Sequence, residues 1–181
     1  MDIGVQFAPR RPPALRDNEV IKDTLCNRSQ ILDPKLYSRS LLVHDFHFFH
    51  PIEVRYADLD AQHHVNNACY FTYMEQARLK YIQHLGLWDG KNYNAISVIL
   101  VDQSCTYKAP IAYGQHIHVG VRVTHLGNKS LELAVSIRDR DTDQEMAVGR
   151  TVLVAYDYLS DKSHPIPDRW REAIRAYEGM D

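Results

Sequence analysis

The stretch with the residue types for chemistry reads Arg55-Tyr56-Ala57-Asp58-Leu59-Asp60-Ala61-Gln62-His63-His64-Val65-Asn66-Asn67-Ala68-Cys69-Tyr70. It leaves a strand-like segment, crosses a polar turn and enters a helical pattern. Asp60 falls just before that helix, whose first amides lack intrahelical partners and carry partial positive charge. A carboxylate facing free N–H groups suits acyl transfer. The amides polarise a carbonyl, and the carboxylate attacks it or activates water. An aspartate ahead of a helix is also an ordinary cap, so both roles stay open on residue type alone. Asp58 and Asp60 are two apart and face the same way if the segment is extended. Such a pair could share acid and base work, or Asp58 could simply hold the turn. His64 could orient Asp60 or bond to the helix start.

Other candidates each have a plainer reading beside the chemical one. Cys69 falls in the first helical turn, where a thiolate gains stability, but no base is identifiable and a small buried residue is the better reading. Glu75 and Arg78, three apart on the helix, can pair. His44, His47 and His50 form an H-x-x-H-x-x-H string, yet on a strand His47 points away from the other two, and on a helix the three spread too widely for one site. His116 and His118 share a strand face without a nameable third ligand. Metals need three or four convergent ligands, so no metal site is assigned.

Elements to position these residues can be read from periodicity. His50 to Tyr56 reads as a strand. Asn67 to Leu85 reads as a helix, with Tyr70, Tyr73, Met74, Ala77, Tyr81 and Leu85 at three- and four-residue spacing, Asn66 and Asn67 as caps, and Gly86 as the stop. Ala95 to Lys108 reads as a strand whose near-continuous apolar start suggests cover on both faces. Ile117, Val119, Val121 and Val123 alternate with His118, Gly120, Arg122 and Thr124. Leu131, Leu133, Val135 and Ile137 repeat the pattern after Gly127-Asn128. Gln144 to Tyr158 is a last long strand, and Pro167 to Tyr177 a short helix with Pro in its first turn. Tight turns make the last three strands antiparallel. The sum is an α+β layer pair: an antiparallel five-strand sheet around one long helix, with edges that favour self-association.

Length and composition bound the rest. The 181 residues are 45% hydrophobic and 24% charged, ordinary for one globular domain with an appendage. With 21 Lys and Arg against 23 Asp and Glu, the net charge of −2 argues against a nucleic-acid partner. The run Ala95 to Val101 is too short to cross a bilayer, so no membrane partner is expected. No charged leader with an apolar run opens the chain, and its three cysteines (Cys26, Cys69, Cys105) are odd in number and scattered. A cytoplasmic protein is the expectation. Residues 1–45 hold Pro9, Pro12, Pro13 and Pro34 with little apolar periodicity. They read as an extension, partly disordered, with a short ordered stretch near Asn18 to Cys26, ahead of a domain over residues 46–181.

Arg55-Tyr56-x-Asp58-x-Asp60-x-x-x-His64-Val65-Asn66-Asn67-x-x-Tyr70, followed by Met74-Glu75-x-Ala77-Arg78 and by Tyr107-x-x-Pro110-x-x-Tyr113-Gly114, resembles the 4-hydroxybenzoyl-CoA thioesterase family. The resemblance covers roughly residues 46–177. It implies the hot-dog fold, a long helix wrapped by an antiparallel sheet, in a homodimer or homotetramer. It also implies hydrolysis of an acyl or aroyl thioester of coenzyme A, or of an acyl carrier, to the free acid and thiol. By position, Asp60 matches the catalytic aspartate, as nucleophile or general base. Asn67 matches the residue whose backbone N–H polarises the carbonyl. Many relatives have glycine where this chain has His63, so Gln62 and His63 become candidate substrate contacts, as is Asp58. Lys108, Arg122 and Lys129 are candidate contacts to a coenzyme A phosphate. No metal or redox cofactor is called for, because the thioester is already activated. Two other readings follow from the same residues. One is a hydratase or dehydratase using His63 or His64 with an aspartate; the other is a non-catalytic thioester-binding module.

Overall fold

The computed structural model describes residues 46–92 and 97–180. The expected extension over 1–45, with its ordered stretch near Asn18 to Cys26, lies outside the described residues, as do His44 and Cys26. In chain order the elements are β1 (Phe48–Glu53), a single 3-10 turn (Tyr56–Asp58), α1 (Asn67–His84), β2 (Val98–Tyr107), β3 (His116–Leu126), β4 (Ser130–Asp139), β5 (Glu145–Asp157), β6 (Lys162–Ser163) and α2 (Asp168–Glu178). The strands run β1-β3-β4-β5-β2 across the sheet, every pairing antiparallel, with the two-residue β6 added to β5.

Helix α1 starts and stops where its ends are chemically satisfied. Asn66 caps it by accepting from the Ala68 N–H at 2.9 Å. At the far end Gly86 takes φ 67°. That conformation lets its N–H reach the Gln83 carbonyl at 2.9 Å and the Leu87 N–H reach Ile82 at 3.1 Å, a Schellman stop. Tyr70, Tyr73, Met74, Ala77, Tyr81 and Ile82 form its buried face. Against them pack Ile117, Val119, Val121 and Val123 of β3 and Leu131, Leu133, Val135 and Ile137 of β4. These are the alternating positions of both strands. Each such large apolar side chain, removed from water, contributes about 1.5–3 kcal/mol before entropy is counted. One long helix covers one face of the antiparallel sheet, which is the hot-dog arrangement.

The expectation for the strand after α1 needs correction. β2 is an edge strand, and its burial alternates, with Leu100 45% exposed although its side chain lies on the helix side of the sheet. The described residues do not cover it on both faces. The terminal helix is shifted by one residue: Pro167 is the residue ahead of it, and Gly179 at φ 67° ends it. α2 closes the β3 end of the core with Trp170 and Ile174. There the buried Glu178 carboxylate accepts from the Tyr81 hydroxyl and the Val123 N–H.

Candidate active site

The segment linking β1 to α1 folds on itself. Leu59 and Val65 pair as an isolated antiparallel bridge. Inside it the Asp60 N–H donates to the His64 carbonyl at 2.9 Å and the His63 N–H to the Asp60 carbonyl at 3.0 Å. This is a tight turn with a bulge, whose bulge residue must be left-handed. His63 occupies it at φ 64°, which explains why the resemblance places glycine there. The loop is tied outward by a His64–Ala112 bridge and by the Val65 N–H donating to Ile111 at 2.8 Å.

Asp60 Oδ1 accepts from the Gln62 N–H at 2.8 Å, which fixes the carboxylate and leaves Oδ2 without a partner among the described residues. Seven residues on, Asn67 is the first residue of α1. Ala68 donates to the Asn66 side chain and Cys69 to the Asn66 carbonyl, whereas no described group accepts from the Asn67 N–H. Asp60, Gln62, His64 and Asn67 line one side of a cavity of about 460 Å³, with Val65 and Tyr70. Tyr107, Lys108, Ala109 and Pro110 form the other side. That volume suits a small-molecule site. A carboxylate oxygen and an unpaired helix-start amide on one cavity are the two groups that acyl transfer from a thioester needs.

The structure separates the remaining candidates. Asp58 does not face the same way as Asp60, because the 3-10 turn rotates it inward. It is 2% exposed and bonded to the Arg55 backbone and guanidinium and, at 2.8 Å, to the Tyr73 hydroxyl. Burial pushes its carboxyl up, but the bonds from Arg55 and Tyr73 outweigh this and hold it below the usual carboxylate range. Its carbonyl also accepts from the Asn66 N–H at 2.8 Å. Asp58 therefore holds the turn and is closed to substrate. Arg122 sits on β3 with its Nε 3.9 Å from Glu178, and Lys129 in the β3–β4 turn bonds to Ser163; neither lines the cavity. Lys108 does line it, and its ammonium pairs with Glu145. His63 is exposed at the turn tip beside the cavity wall.

The other sequence candidates take structural places. Burial and the Asp58 charge push the Cys69 thiol up, against thiolate chemistry, and burial takes Cys105 up to about 11. Glu75 and Arg78 do pair, at 3.9 Å. His47 lies edge-on to Tyr177, His50 bonds to Gln76, His116 to Asp141, and His118 stacks on Phe49. Among the described residues no three His, Cys, Asp or Glu side chains converge as a metal site. None of their hydrogen bonds joins His63 or His64 to an aspartate side chain, the pairing a hydratase reading would require. Sequence reasoning passed over Tyr73 as the partner of Asp58 and Tyr107 as part of the cavity wall. Tyr73 sits one helical turn after Tyr70, and that spacing read only as core.

Fold and cavity together define a thioester hydrolase of hot-dog architecture. The chain belongs to the thioesterase-like superfamily, whose family model matches residues 54–174. A thioesterase from Thermus thermophilus, crystallised in complex with coenzyme A and Zn, is 31% identical with a TM-score of 0.66. The match covers 76% of this chain and 98% of that one. The long-chain acyl-CoA thioesterase FadM of Escherichia coli (strain K12) is 24% identical over 123 residues, 68% of this chain and 93% of FadM. Slr0204 of Synechocystis, a 1,4-dihydroxy-2-naphthoyl-CoA thioesterase, shares the fold at 22% identity and a TM-score of 0.64, over 70% of this chain and 94% of that one. Among the described residues no helix is long and apolar enough to cross a membrane.

Proposed function

We propose that this protein is a cytoplasmic acyl-CoA thioesterase, releasing a free carboxylic acid and coenzyme A. The observation that carries the reading is the pair of unsatisfied groups on one cavity, Asp60 Oδ2 and the Asn67 N–H. The thioester carbonyl oxygen accepts from the Asn67 N–H, and the amide strengthens its hold as negative charge develops there. Asp60 either attacks the carbonyl carbon or takes a proton from the water that does. Both routes break the C–S bond, and the thiolate leaves to be protonated by solvent. In the first route water then cleaves the mixed anhydride and restores Asp60. The chain supplies all of these groups, and coenzyme A enters as part of the substrate rather than as a cofactor.

The working unit we infer is a homodimer. Among the described residues β2 presents an open row of backbone groups at the sheet edge, with Leu100 uncovered beside it, and a second copy can close both.

The test is thiol release from short, long and aromatic acyl-CoAs by wild type and Asp60→Asn. Turnover that falls at least about 100-fold in a still-folded Asp60→Asn supports the reading. No release from any thioester by folded wild type, or equal turnover in the variant, overturns it.

A further inference from the structure

We propose that Tyr107 is a positioning residue for this hydrolysis: its hydroxyl holds the first turn of α1 so that the Asn67 N–H stays aimed at the substrate carbonyl. The inference rests on the reading of Asp60 and Asn67 as the reacting groups. Tyr107 is the last residue of β2, and its hydroxyl donates to the Asn67 carbonyl at 3.1 Å, a bond spanning 40 residues of sequence. Its ring meets Tyr70 edge-on, with centroids 4.9 Å apart and planes at 89°. The Tyr70 hydroxyl in turn donates to the Ala109 carbonyl at 3.4 Å. Two tyrosines thus lace the helix start to the opposite cavity wall.

Helix ends fray, and Asn67 and Ala68 are exposed at the first turn. A donor that stabilises charge in a transition state has to be held to within about 0.5 Å before the substrate arrives. The Asn66 cap fixes Ala68, and the Asn66 carbonyl fixes Cys69, but neither bond restrains residue 67 from outside the helix. The bond from Tyr107 does, since it takes hold of the carbonyl of the same residue whose N–H faces the substrate. Burial pushes the Tyr107 phenol up, so the hydroxyl keeps its proton and remains a donor at neutral and mildly alkaline pH.

Tyr107→Phe keeps the ring and its contact with Tyr70 and removes only the hydroxyl. We expect kcat to fall about 3- to 30-fold, the scale of one lost hydrogen bond, with KM within about twofold of wild type. Amide hydrogen exchange over residues 67–71 should quicken, while the melting temperature stays within about 3 °C. A retained kcat, a raised KM with unchanged kcat, or slowed turnover without faster exchange would each overturn the role. Wild type and Asp60→Asn are assayed alongside. Failure of the thioesterase reading shows as absent or Asp60-independent thiol release in wild type. Failure of the Tyr107 role shows as Asp60-dependent release that Tyr107→Phe leaves unaltered.

Discussion

His63 is the clearest place to test whether backbone strain sits beside Asp60. Its φ of 64° is imposed by the turn, in which the Asp60 and His63 N–H groups bond to His64 and Asp60 carbonyls at 2.9 and 3.0 Å. An L side chain in that conformation costs about 1–2 kcal/mol, with histidine towards the lower end because it tolerates the region better than most. Glycine removes that cost but returns about 0.4–1 kcal/mol through a freer unfolded chain. His63→Gly should therefore be level with wild type or more stable by up to about 1 kcal/mol, a rise of about 0–5 °C in melting temperature. His63→Ala keeps the strain and removes only an exposed ring with no hydrogen-bond partner among the described residues, so it should stay within about 0.5 kcal/mol of wild type. The decisive quantity is the difference between the two variants in urea denaturation, expected at about 0.5–1 kcal/mol in favour of glycine, because alanine lacks histidine's tolerance of that region. Alanine equalling or exceeding glycine would refute the argument, because the effect would then belong to the side chain.

Further expectations concern the scaffold around the site. Asp58 is held below its ordinary value, so its stabilisation is complete above the unfolded aspartate value of about 3.9 and is lost as pH falls through the folded one. Wild type should consequently lose melting temperature below about pH 4 more steeply than Asp58→Asn, and parallel curves would contradict the clamp. Tyr81→Phe takes from the buried Glu178 its hydroxyl donor and leaves it the Val123 N–H and, at 3.9 Å, the Arg122 guanidinium; urea melts should show a loss of about 1–3 kcal/mol. Leu100→Arg places a charge beside the open β2 edge. Sedimentation should show wild type as a dimer and the variant shifted towards monomer, while two identical profiles would place the interface elsewhere.

What the sequence made legible was whatever short-range chemistry decides. Asn66 and Gly86 bounded α1, and the alternation in β3 and β4 named the core residues, because caps and periodicity are local. The pairing order β1-β3-β4-β5-β2 could not be read that way, since strand neighbours are chosen by the whole sheet. The apolar start of β2 was misleading for a related reason: hydrophobicity announces that a surface wants cover without saying where the cover comes from. Asp58 was misplaced by assuming an extended segment, where one 3-10 turn reverses the side chain. Arg122 and Lys129 had the right charge for a phosphate, but charge carries no address, and the fold sends them to α2 and β6.

Asp60 and Asn67 lie on one short stretch, shaped by bonds among neighbours in the chain. The facing wall comes from residues 108–110, where the Lys108 and Ala109 N–H groups both hang from the Met146 carbonyl. Asp60 with Asn67 and the wall opposite them are thus separate modules of primary structure, joined across the cavity by the tyrosine bonds. On the proposed function, a library confined to 108–110 would change which thioester is accepted while leaving Asp60 and Asn67 in place. The same freedom would let a lineage diverge in substrate faster than in mechanism.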